Sequence, residues 1–141
     1  MTGIEKLNHV AVVVADIDAA LAFWRDALGL ELAGVKDMPE QKSKIAFLPL
    51  GGSELELVQP TDAESGIAKN LAKRGPGMHH LCLEVRDLDA MIGRLKGKGI
   101  RLTSEAPMTA ANGRRMIFVH PESTGGVLLE LYEGGEFAET P

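Results

Sequence analysis

The sequence predicts an α+β fold of two tandem βαβββ modules that form a curved mixed sheet with the helices on its outside. Three features predict it: an internal repeat, a switch of hydrophobic period inside each copy, and a glutamate at the end of each copy. The stretch from His9, HVAVVVADIDAA, aligns with the stretch from His80, HLCLEVRDLDAM, at a constant shift of 80 − 9 = 71 residues. Asp16 then matches Asp87, Asp18 matches Asp89, and Ala19 matches Ala90. Self-similarity at a fixed period means that one supersecondary unit has been written twice.

In each copy the opening apolar run is rich in Val and Leu and reads as a strand, with alternate side chains on opposite faces. His9 therefore shares a face with Ala11 and Val13. Asp16 and Asp87 follow as N-caps, because their carboxylates can accept from the free N–H groups of a first helical turn. The segments IDAALAFWRDAL and LDAMIGRLKGK have helical spacing, and Gly29 and Gly99 close them. Shorter strands come next: LELAGV, SKIAFLPL, the Gly51-Gly52 turn and ELELVQ in the first copy; IRLTSE, RRMIFV, the STGG turn and VLLELYE in the second. Module one thus covers residues 5–60 and module two residues 77–134, with a connector at 61–76 whose residues 62–74 read as a short helix. The GGEFAET stretch before Pro141 reads as a loose tail.

The 141 residues suit a single domain, and 45% hydrophobic with 25% charged residues is a globular balance. A formal net charge of −5 argues against a nucleic-acid or anionic-lipid partner, which would call for a basic face. With one cysteine, Cys82, no disulfide can close within the chain, and Cys82 reads as a small apolar core residue. The start MTGIEKLNHVAVVV carries an apolar run too short to span a bilayer and no basic opening, so a cytoplasmic location is expected.

The last strands end in Leu55-Glu56-Leu57 and Leu129-Glu130-Leu131, so each copy offers one His on its first strand and one Glu on its last. Alone, each Glu would read as a solvated residue opposite two core leucines, and each His as structural. The repeat changes that weighing. His9, Glu56, His80 and Glu130 form an N/O donor set suited to a first-row divalent cation, and packing of the modules about a pseudo-twofold axis would bring the four to one point. His79 and His120 have no counterparts and read as supporting or structural.

The segments LNHVAVVVADIDAALAFWRDALGLEL, GMHHLCLEVRDLDA and HPESTGGVLLELYE resemble the glyoxalase, or vicinal oxygen chelate, superfamily. The stretches PEQKSKIAFLPLGGSELELVQP and SGIAKNLAKRGPGMHH, with the HPESTGG turn, are most similar to the methylmalonyl-CoA epimerase family within it. This resemblance implies that His9, Glu56, His80 and Glu130 hold one divalent ion per chain, cobalt first, with manganese, nickel or zinc as alternatives. It also implies that Glu40 is a catalytic base, with Glu130 as its partner in acid–base work, and that the chain is a homodimer acting on an acyl-CoA. Ser123 and Thr124 of the STGG turn are candidate substrate contacts, and Lys69, Lys73 and Arg74, or Lys42 and Lys44, candidate phosphate contacts. The sequence departs from the family at Glu56, where some epimerases have Gln, at Ala110-Ala111-Asn112-Gly113, where many have His, and at Glu122, where Lys is common.

The implied reaction is exchange of the two C2 epimers of methylmalonyl-CoA through a metal-stabilised enolate. Inversion needs two acid–base groups on opposite sides of a planar carbon, each expected to be buried enough to work near neutral pH. A glyoxalase I-type lactoylglutathione lyase would use the same donor set. A non-catalytic small-molecule binder of the same fold would lack the donors, and an extradiol dioxygenase would need iron with three protein ligands.

Overall fold

A computed structural model describes residues 3–110 and 112–134. Of the GGEFAET stretch expected to be loose, Gly134 is buried, its N–H donating to the Val85 carbonyl at 2.8 Å, and the residues from Gly135 onward lie outside the described residues. Contacts divide the described residues into two units, one of residues 9–79 and one of residues 3–8 with 80–134. The sequence had placed residues 5–60 together. Residues 3–8 instead keep company with the second copy: Arg86 N–H donates to the Gly3 carbonyl at 2.8 Å, the Arg86 guanidinium reaches Glu5 at 3.2 Å, and Asn8 Nδ2 donates to Glu84 at 2.8 Å.

The unit of residues 9–79 has strand β1 (Ile4–Val13, shared with the other unit), helix α1 (Ile17–Leu21), β2 (Gly34–Met38), β3 (Ser43–Leu50), β4 (Ser53–Pro60) and helix α2 (Gly66–Arg74), with strand order β2-β3-β4-β1. β1 and β4 are parallel and the other neighbours antiparallel. Asp16 caps α1 as expected, accepting from the Ala19 N–H at 3.2 Å. Where the sequence predicted one continuous α-helix, residues Ala22–Ala27 are wound as a π-helix, with Leu28 N–H donating to the Phe23 carbonyl at 2.8 Å. This wider winding sets Trp24 against the core and leaves Phe23 and Leu28 exposed. That core, Val14, Ile17, Leu21, Ala46, Leu48, Leu55 and Leu57, lies between α1 and one face of the sheet. The opposite face buries Ala11, Ile45 and Val58, so β4 is covered on both sides.

The second unit holds β5 (Gly77–Val85), α3 (Leu88–Gly97), β6 (Met108–Thr109), β7 (Arg115–Val119) and β8 (Leu129–Glu133), in strand order β5-β8-β7-β6 with β5 and β8 parallel. Asp87 caps α3 through the Ala90 N–H at 3.0 Å, the counterpart of Asp16, a contact worth about 1 kcal/mol. Val85, Leu88, Ile92, Ile117, Val119 and Leu131 form its core.

The strand after each helix starts later than the sequence predicted, for the same reason in both copies. Leu30 and Leu32 of LELAGV pack onto the first core, and ladder pairing begins only where Ala33 N–H donates to Phe47 at 2.8 Å. In IRLTSE, Ile100 and Leu102 pack onto the second core, Leu102 makes one isolated bridge to Val119, and β6 forms only after Pro107, which has no N–H to give. No helix among the described residues is long and apolar enough to cross a membrane.

Arg115 fastens α3 to the sheet of the second unit, meeting Asp89 of α3 and Glu133 of β8 at 3.0 Å each. The guanidinium holds both carboxyls below their ordinary pKa. A depressed folded-state pKa gives stability that is present above the unfolded value and lost as pH falls through the folded one. Thermal unfolding between pH 6 and pH 3 should therefore show a melting point that falls with acid, and Arg115→Met should flatten that slope. An unchanged slope in the variant would assign the acid sensitivity elsewhere.

Candidate metal centre

Each unit brings its own His and Glu together. On β1 and β4, Ala11 stands opposite Glu56 in the parallel ladder, and His9 lies two residues before Ala11 on the same face. His9 Nδ1 is 3.4 Å from Glu56 Oε2, with the side chains only 10% and 13% exposed. On β5 and β8, Cys82 stands opposite Glu130 and His80 lies two residues before it. His80 Nε2 is 3.0 Å from Glu130 Oε1, with exposures of 13% and 7%. One strand register thus produces both pairs, and only the contacting imidazole nitrogen differs between them.

Burial decides the reading that sequence left open for the glutamates. Leu55 and Leu57 do enter the α1 core, but Glu56 does not face solvent, because its own face is lined by Ala11, Ile45 and Val58. An ionised carboxylate so placed needs a partner or a cation, and the imidazole beside it meets the first requirement. Phe47 pairs with Glu56 and Phe118 with Glu130. The His80 ring meets Phe118 edge-on, with ring centres 5.5 Å apart. These phenylalanines also obey the repeat, 118 − 47 = 71, a spacing present in the sequence and missed there. Cys82 is fully buried, as expected, in the place that Ala11 takes in the first copy.

The remaining site residues are placed differently. Glu40 is exposed, on a 3-10 turn of Pro39–Gln41, rather than buried as expected of an acid–base group. Ser123 Oγ accepts from the Arg101 N–H at 2.9 Å. The Thr124 hydroxyl accepts from the Val127 N–H at 2.9 Å and lies against the Pro121 and Val127 carbonyls, so both hydroxyls hold the turn together. His120 is structural, its Nδ1 accepting from the Glu122 N–H at 3.0 Å. Lys69 of α2 is 4.0 Å from Glu64, and Lys73 and Arg74 are exposed.

Comparison with known proteins places this geometry. Residues 8–118 match the family model of the Glyoxalase/Bleomycin resistance protein/Dioxygenase superfamily. The mitochondrial methylmalonyl-CoA epimerase of Mus musculus is 42% identical over 89% of this chain and 71% of its own length. An ethylmalonyl-CoA/methylmalonyl-CoA epimerase of Cereibacter sphaeroides is 40% identical over 91% of this chain and 97% of its own. A variant of the Streptomyces coelicolor methylmalonyl-CoA epimerase, solved in complex with 2-nitronate-propionyl-CoA, superposes with a TM-score of 0.83 at 32% identity, covering 94% of this chain and 99% of that one. With its duplicated βαβββ units and a His–Glu pair in each, the chain belongs to the Glyoxalase/Bleomycin resistance protein/Dioxygenase superfamily, beside the methylmalonyl-CoA epimerases.

Proposed function

We propose that the protein is a metal-dependent isomerase that interconverts the C2 epimers of methylmalonyl-CoA, working as one glyoxalase-like domain. The observation that carries this reading is the pair of His–Glu contacts, each with one buried and one half-buried partner, built by one register in both copies of a chain whose relatives include named epimerases of this substrate. We further propose that both pairs serve a single divalent ion, cobalt first, with His9, Glu56, His80 and Glu130 as its protein ligands. The donor set fits: two neutral imidazoles and two carboxylates suit a first-row ion and balance its charge. When bound, the ion supplies a Lewis acid for the negative charge that develops on the substrate's thioester and carboxylate oxygens.

The chain's own residues then do the proton work. Glu40 takes the C2 proton, the C–H electron pair delocalises into the flanking carbonyl groups, and Glu130 relays a proton from solvent to the opposite face of C2 while Glu40 gives its own back to solvent. No oxidant or co-reactant is consumed. The exposure of Glu40 lets it meet a substrate that itself supplies the cover, since an acid–base group needs reach before it needs a shifted pKa. We include in this reading a homodimer, a reducing compartment such as the cytoplasm, and Ser123 and Thr124 as residues that shape the turn next to bound substrate.

Incubating the metal-loaded protein with methylmalonyl-CoA in deuterated water tests the reading. Solvent deuterium should enter C2 as the epimers equilibrate. No exchange on this substrate, with turnover of a glutathione hemithioacetal instead, would replace the epimerase by the lyase.

A further inference from the structure

Among the described residues, Lys42 is the one non-glycine whose backbone is left-handed, with φ 52° and ψ 43°. Glycine occupies that region without steric cost and lysine does not, so the conformation persists because its surroundings impose it. They do so from several sides. Met38 of β2 pairs with Ser43 of β3, which closes a hairpin around residues 39–42. Lys42 N–H donates to the Pro39 carbonyl at 3.0 Å, closing the 3-10 turn, and the Lys42 carbonyl accepts from the Thr61 N–H at 2.9 Å. Its ammonium lies 3.8 Å from Asp62, and the next residue, Ser43, is 1% exposed. Glu40 sits inside this clamped loop.

We propose that the left-handed backbone at Lys42 is a positioning device for Glu40: it turns the chain back into β3 so that the loop presents the carboxylate in one orientation. This inference rests on the reading of Glu40 as the proton-transferring group. A β-branched residue, which resists the left-handed region more strongly than lysine does, would force the loop to open, and Glu40 would spend its time in other directions. The side chain of Lys42 is secondary to this role, and the backbone is primary.

Comparing Lys42→Gly with Lys42→Val tests it. Both remove the amine, so any contribution of its charge cancels between them. Glycine accepts the left-handed conformation, whereas β-branched valine resists it. The valine variant should show a kcat at least about tenfold below the glycine variant, since small misplacements of a reacting group have effects of that size or larger. KM for methylmalonyl-CoA and divalent-metal content should agree between the two. Placing K42V in an E40Q background should add no further loss, a non-additivity that general destabilisation would not produce. Should K42V yield no folded protein, Lys42→Thr, also β-branched but more polar, carries the same comparison. Equal kcat for the glycine and valine variants beside an inactive E40Q overturns the positioning role alone. Equal kcat beside an active E40Q overturns the role of Glu40 first. A K42V variant that loses metal in step with activity also overturns the proposal.

Discussion

Replacing His80 with alanine should remove the bound divalent ion and lower kcat/KM on methylmalonyl-CoA by about a thousandfold or more, a loss on the order of 4 kcal/mol in transition-state stabilisation. His80 contacts a carboxylate whose side chain is only 7% exposed. Removing it takes away one donor and also leaves Glu130 buried without that imidazole, which is why the thermal midpoint should fall as well. The two effects can be separated. Metal analysis of folded, gel-filtered protein reports the donor role, and a melting curve with and without added cobalt reports the linkage, since an ion that binds only the folded state raises the midpoint. A His80→Ala protein that still holds one ion per chain and turns over normally would dismiss the four-residue donor set.

Replacing Glu40 with glutamine should lower kcat by roughly a hundredfold to ten-thousandfold, the usual range for deleting a proton-transferring side chain. The contrast with His80 lies in what stays constant. Glu40 is exposed on its turn and far in sequence from every proposed ligand. Metal content should hold, and stability should move by no more than about 0.5 kcal/mol, as for other surface changes. The deuterium experiment adds detail: if Glu40 works one face only, E40Q should impair exchange of one epimer more than the other. Full activity would take Glu40 out of the mechanism and leave Glu130 to be tested alone.

The repeat made most of this legible in advance. Asp16 and Asp87 cap their helices on matched N–H groups, and SKIAFLPL is β3 as read, because capping and strand alternation are local physics that a sequence displays. What did not show was decided by tertiary packing. Leu30, Leu32, Ile100 and Leu102 have the composition of strand residues, yet are drawn into the cores beneath the helices. The π-wound segment after α1 gave no sequence signal distinct from an ordinary helix. Nor did Lys42, a residue type with no bias toward the left-handed region. The burial of Glu56 was ambiguous for a better reason: a Leu-Glu-Leu strand looks the same whether its second face meets water or a second apolar layer, and only the repeat tilted the balance.

The rung offset between each His and its Glu restricts where the chain can change length. A strand that gains or loses one residue turns every following side chain to the other side, so a single insertion in β4 just ahead of Leu55 would carry Glu56 into the α1 core and bring Leu55 into its place. Tolerated insertions should therefore fall at the Gly51-Gly52 corner, where no rung is counted.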